Sequence, residues 1–246
     1  MLGMATFVLV HGGWGGGWEW RQVADRLAAR GHQPHRLTLT GLGDRSHLAS
    51  PEVNLDTHIT DVLMVLQFED LSDVVLVGQS YGGAVITGAA DRAPERIRRL
   101  VYVDAFVPND GDSVIDLSPQ RFVDLFRQLA AETGDGWQVP SPFDPGDLGP
   151  PEMEGWYAPK LVPHPLACFD QPIRLSGASD TVPRSYIDCR PADAQSWVFE
   201  RFADRARSDG WDYHHLPVGH DAQVLAPEAL VGILDQVAKL PTPRRP

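Results

Sequence analysis

The chain has 246 residues, 43% of them hydrophobic and 22% charged, which suits one large α/β domain with a full core. With 21 Lys and Arg against 33 Asp and Glu, its formal net charge is −12, and the lack of any basic stripe argues against a nucleic-acid partner. Two cysteines, Cys168 and Cys189, make no disulfide framework and suit a reducing, cytoplasmic compartment. The opening stretch "MLGMATFVLVHGG" lacks a positive leader region, and its apolar run is too short for a membrane span, so a soluble protein is expected.

In chain order, an apolar run at 6–12 reads as a strand and the pattern at 20–31 as a helix ending on a glycine. Strand and helix then alternate: 34–40 and 55–67, 74–80 and 81–93, 100–106, 184–189 and 199–210, 212–217 and 227–240. The strand runs are short and continuously apolar, as expected where both faces of a parallel sheet are covered. This order predicts βαβ units with right-handed crossovers, hence a doubly wound, mostly parallel α/β sheet of about six strands. One segment breaks the alternation. Residues 108–167, after the strand that ends near Phe106, are rich in proline and glycine, with one good helical pattern at 118–132. The aromatics Phe122, Phe126, Trp137, Phe143, Trp156 and Tyr157 favour a helical, loop-rich lid over a disordered tract. The core domain is then 1–107 with 168–246, and the lid is 108–167.

The pattern "GQSYG" places Ser80 between a predicted strand and a predicted helix. This is the setting of a nucleophile elbow, where the residues two before and two after the serine must lack bulk. A nucleophilic serine needs a base. His220, in "VGHDAQ" after the last strand and before the last helix, sits where a loop turns back over the carboxyl edge of the sheet. The oxyanion site needs two backbone N–H groups, and Tyr81 supplies one. The other is expected from the loop "HGGWGGGWEW", with Gly13 the best candidate. That loop lacks the G-x-G-x-x-G register of a dinucleotide site, and no H-E-x-x-H or Cys/His pairing suggests zinc. Neither a cofactor nor a metal is expected.

Together, "FVLVHGGWGGGWEW", "LTGLGDRS", "VVLVGQSYGG" and "VGHDAQVLAPEAL" resemble the α/β-hydrolase superfamily. The resemblance is nearest to the branch of plant methylesterases, hydroxynitrile lyases and their bacterial esterase relatives. It implies a Ser–His–acid triad and places the acid in one of two positions. One follows the next-to-last strand, where Asp193 stands one residue out of register. The other ends the strand after the nucleophile, where Asp104 stands. Asp104 is preferred, because a carboxylate directly after so apolar a strand is partly buried and needs a partner such as an imidazole. Hydroxynitrile lyases of this branch carry a threonine and a lysine where this chain has Gly12 and Asp221, which favours an esterase. The expected function is hydrolysis of an ester or lactone of a fairly hydrophobic small molecule, in a pocket lined by Gly12, Trp14, Tyr81 and Trp156. A lyase or cyclase using the same residues for proton transfer, or a ligand receptor on the same scaffold, are the alternatives. The expected partner is this small molecule, with no nucleic acid or membrane, and the chain is expected to be a monomer or a homodimer.

Overall fold

The computed structural model describes residues 4–143, 155–192, 194 and 198–241. The main strands are β1 (Thr6–Val10), β2 (Gln33–Arg36), β3 (Val74–Gln79) and β4 (Ile97–Val103), while β5 (Gln138–Val139) and β6 (His164–Pro165) form a small antiparallel ribbon. Strands β7 (Arg184–Asp188) and β8 (Asp212–His215) complete the main sheet. Among the described residues this sheet has six strands, all parallel, in the order β2-β1-β3-β4-β7-β8. The α/β-hydrolase architecture expected from the sequence is the one observed.

The helices are α1 (Arg21–Ala29), α2 (Leu55–Phe68), α3 (Gly82–Arg92), α4 (Val114–Leu117), α5 (Gln120–Thr133), α6 (Ala167–Asp170), α7 (Glu200–Ser208), α8 (Ala222–Leu225) and α9 (Pro227–Ala238). Local chemistry starts them where they start. Asn54 caps α2 through the N–H of Thr57, whose hydroxyl in turn accepts from the Asn54 N–H. Pro227 opens α9 where a missing N–H costs nothing.

Both faces of the sheet are covered. On one, Val8, Val10, Leu76, Leu100 and Tyr102 pack with Ile59, Val62 and Leu66 of α2 and Val85 and Ile86 of α3. On the other, Phe7, Leu9, Val75, Val77, Val101 and Val103 pack with Val23 and Leu27 of α1 and Leu230, Val231 and Leu234 of α9. Alternate strand residues enter opposite cores, so the runs read as continuously apolar.

The run expected at 100–106 begins earlier, at Ile97, and stops at Val103. Asp104 takes a left-handed backbone, φ 45°, which ends the extended pairing. Because the strands are parallel and in register, Val10 opposite Gly78 and Gln79 opposite Val103, their carboxyl ends meet at one edge. The chain winds to either side of β1, so this edge holds the crevice where open α/β sheets bind ligands.

Candidate active site

Ser80 follows β3 directly with φ 53°, left-handed for a residue that carries a side chain. The turn is tied on both sides: its N–H donates to Val103 O at 3.3 Å, and its carbonyl accepts from Gly83 and Phe106 N–H, both at 3.1 Å. The flanking glycines are demanded by contact. A Cβ on Gly78 would stand 2.5 Å from Gly82 O, and one on Gly82 would stand 2.7 Å from His11 O. The small residues of the motif therefore let β3, α3 and the end of β1 close on one another beneath the serine.

His220 lies in the loop between β8 and α8, and its Nδ1–H donates to Asp104 Oδ2 at 2.6 Å. Asp104 is wholly buried, and its N–H donates to Ile187 O at 2.8 Å. The imidazole stacks on Phe199, with centroids 4.8 Å apart and planes 7° from parallel. Burial works to lower the His220 pKa, but the hydrogen bond and charge of Asp104, with the charge of Asp221, outweigh it and leave the pKa raised. The other candidate acid, Asp193, lies outside the described residues.

Gly13 and Tyr81 face the same crevice. Among the described residues, neither backbone N–H is spent on a hydrogen bond of the loop or turn. Tyr81 immediately precedes α3, so its N–H points from the positive end of that helix. Three buried histidines brace the residues around these two N–H groups. His11 donates from Nδ1 to Gly12 O and accepts at Nε2 from Leu39 N–H. His58 accepts from Tyr81 Oη at 2.9 Å and donates to Thr40 O. His164 accepts at Nδ1 from Trp14 N–H at 3.2 Å. Burial, foremost, lowers His11 and His58 to about 4 and His164 well below its usual value, so all three stay neutral. His58, His164 and Cys168 bring ligand atoms within 4.8 Å of one another. Both nitrogens of His58 are already engaged, however, and burial pushes the Cys168 thiol up, so the group suits a brace better than a metal.

Ser80 and His220 open onto a cavity of about 640 Å³. Trp14, Phe106, Phe122, Phe126, Phe169 and Phe199 give it largely apolar walls. Trp14, φ 61°, is held on several sides: by His164, by Val162 N–H on its carbonyl at 2.9 Å, and by Val139 O on its indole N–H at 2.8 Å. Two residues expected in the pocket are placed elsewhere. Gly12 is packed beneath Gln79 and Ser80, with no room for a Cβ. Trp156 lies outward, 41% exposed against Trp18 and the Lys160 ammonium, and its neighbour Tyr157 lines the cavity instead.

Sequence reasoning missed a polar end of the cavity formed by Glu19, Gln79, Tyr157 and Asp221. Tyr157 Oη donates to Glu19 Oε1 at 3.2 Å, and Gln79 Nε2 donates to Asp221 Oδ1 at 3.4 Å. Burial and the Asp221 charge hold the Glu19 carboxyl well above the usual range, and burial also raises Asp221. The available signal was a Glu between two tryptophans in a glycine-rich loop.

The family model described as "Alpha/beta hydrolase family" matches residues 7–233. The carbendazim hydrolyzing esterase of a Nocardioides species is 40% identical over 237 residues, 92% of this chain and 97% of that protein. Salicylic acid-binding protein 2 of Nicotiana tabacum is 29% identical over 203 residues, 82% of this chain and 75% of that one. In three dimensions, an extracellular alpha/beta-hydrolase from a Paenibacillus species superposes with a TM-score of 0.85 at 23% identity, covering 96% of this chain and all of that one. These relatives fall in the branch that the sequence motifs resemble. The chain belongs to the alpha/beta hydrolase family.

Proposed function

We propose that the protein is a serine esterase acting on a carboxylic ester or lactone of a fairly hydrophobic small molecule. Ser80 is the nucleophile, His220 the general base and acid, and Asp104 the carboxylate behind it. The observation that carries this reading is the 2.6 Å bond between His220 and the buried Asp104, beside a serine on a left-handed turn in the same cavity.

In this reading Ser80 Oγ attacks the ester carbonyl carbon while its proton passes to His220 Nε2. Asp104 keeps the other proton on Nδ1 and stabilises the imidazolium. The N–H groups of Gly13 and Tyr81 hold the oxyanion, each worth on the order of 3 kcal/mol. The tetrahedral intermediate expels the alcohol, protonated by His220, and leaves an acyl group on Ser80. His220 then takes a proton from water, whose oxygen attacks the acyl carbon, and as the acyl–Oγ bond breaks His220 returns that proton to Ser80 and the acid is freed. The aromatic walls favour an apolar substrate body, and the described part of the proposed lid, residues 108–167, supplies Val114, Phe122, Phe126, Phe143 and Tyr157 to them.

A fluorophosphonate probe is expected to label Ser80, and short p-nitrophenyl esters to be turned over, with both lost in Ser80→Ala. Carbendazim is the first larger compound to try, given the Nocardioides relative. Absence of labelling together with no turnover of any of these compounds would overturn the reading.

A further inference from the structure

The proposed ester chemistry leaves the polar end of the cavity unused. Glu19 is 3% exposed and wholly inside the fold, and a Cβ on Gly15 would overlap its carboxylate, so the glycine loop is shaped around that group. Asp221 faces it. Tyr157 bonds to both carboxyls, and Gln223 Nε2 reaches Glu19 Oε2 at 3.4 Å and Asp221 Oδ1 at 3.5 Å. Neither carboxyl has an Arg or Lys partner among the described residues, and no Arg or Lys lines the cavity there.

Donors are short at this end. Gln223 is wholly buried, and its Oε1 has no partner among the described residues. The two carboxyls share the N–H groups of Gln79 and Gln223 and the hydroxyl of Tyr157, the Gln223 carbonyl has no donor among the described residues, and burial with the Asp221 charge disfavours ionising Glu19 until a cation faces it. Buried acceptors without donors are costly, and a ligand that brings several N–H groups and a positive charge removes the cost. The rest of the cavity is aromatic, so such a ligand also carries a flat apolar body. The net charge of −12 adds a long-range pull on cations.

We propose that Glu19 and Asp221, backed by Gln223 and Tyr157, form a recognition site for a planar, amidinium-like cationic end of an aromatic ligand. The site rests on the serine-esterase reading only in making this ligand a substrate, because binding needs no turnover.

The test is calorimetric titration of the full chain, as wild type and as Ser80→Ala, with benzamidine and with its neutral counterpart benzamide. Benzamidine is expected to bind more tightly by roughly 10- to 100-fold, the range given by hydrogen bonds to charged groups. Glu19→Gln is expected to remove most of that preference while leaving benzamide binding unchanged, and its melting temperature checks that it folds. If that variant does not fold, Asp221→Asn takes its place. Equal affinity for the two compounds in the wild type, or a preference that survives the carboxamide variant, overturns the site. Loss of fluorophosphonate labelling with the preference intact overturns only the esterase reading.

Discussion

Trp14, Ser80 and Asp104 each hold left-handed backbone without being glycine, and all three stand at the mouths of neighbouring strands. Such conformations cost of order 1–3 kcal/mol and persist where surrounding bonds over-determine them. Asparagine tolerates that backbone as well as aspartate does, so Asp104→Asn isolates the charge from the turn. It is expected to lower kcat/KM by roughly a thousandfold or more while leaving fluorophosphonate access to Ser80 open. Steady-state kinetics on a p-nitrophenyl ester, with Asp193→Asn beside it, measures this. In the proposed mechanism the base works only as a neutral imidazole, so kcat/KM is expected to rise with pH through the His220 pKa, which lies above its ordinary 6.5. Asp221 is one of the charges that raise it. Asp221→Asn is therefore expected to move the acidic limb to lower pH, and a limb that stays in place contradicts this electrostatic account.

At the scale of elements, close approach decides what can be substituted. Gly82→Ala drives a methyl toward the carbonyls of His11 and Val10, 2.7 and 2.9 Å from the new carbon, and neither can yield without moving β1. A loss of about 1–3 kcal/mol is expected from urea denaturation, together with falling activity as Ser80 is displaced. This local crowding is why the elbow could be read from five residues, while the inner strands could be read as apolar runs because both faces of the sheet are covered. The position of His220 was readable because a loop between the last strand and last helix has one edge to return to. Glu19 was not readable, since its partners Tyr157 and Gln223 lie 138 and 204 residues away and only the closed fold makes it buried. The choice between Trp156 and Tyr157 likewise depends on which of two adjacent aromatics turns inward, a matter of packing that no periodicity encodes in so short a stretch.

For the whole molecule, two apolar layers sandwich the sheet, and either can be weakened apart from the site. Leu234 of α9 is fully buried against the sheet, on the face away from α2 and α3, and Leu234→Ala is expected to cost about 2–5 kcal/mol in urea denaturation. KM per folded molecule is expected to stay near that of the parent. Trp14 ties together parts that the chain order keeps far apart. Its own N–H, carbonyl and indole N–H bind His164, Val162 and Val139, all from the segment between β4 and β7, and the peptide it shares with Gly13 belongs to the proposed oxyanion loop. If the segment is the lid proposed above, lifting it to admit or release a ligand breaks these bonds and frees a backbone that is held against its preference. On that reading access and catalytic competence exclude one another: a molecule open to exchange has loosened its proposed oxyanion loop, which is reset only when the segment comes down again.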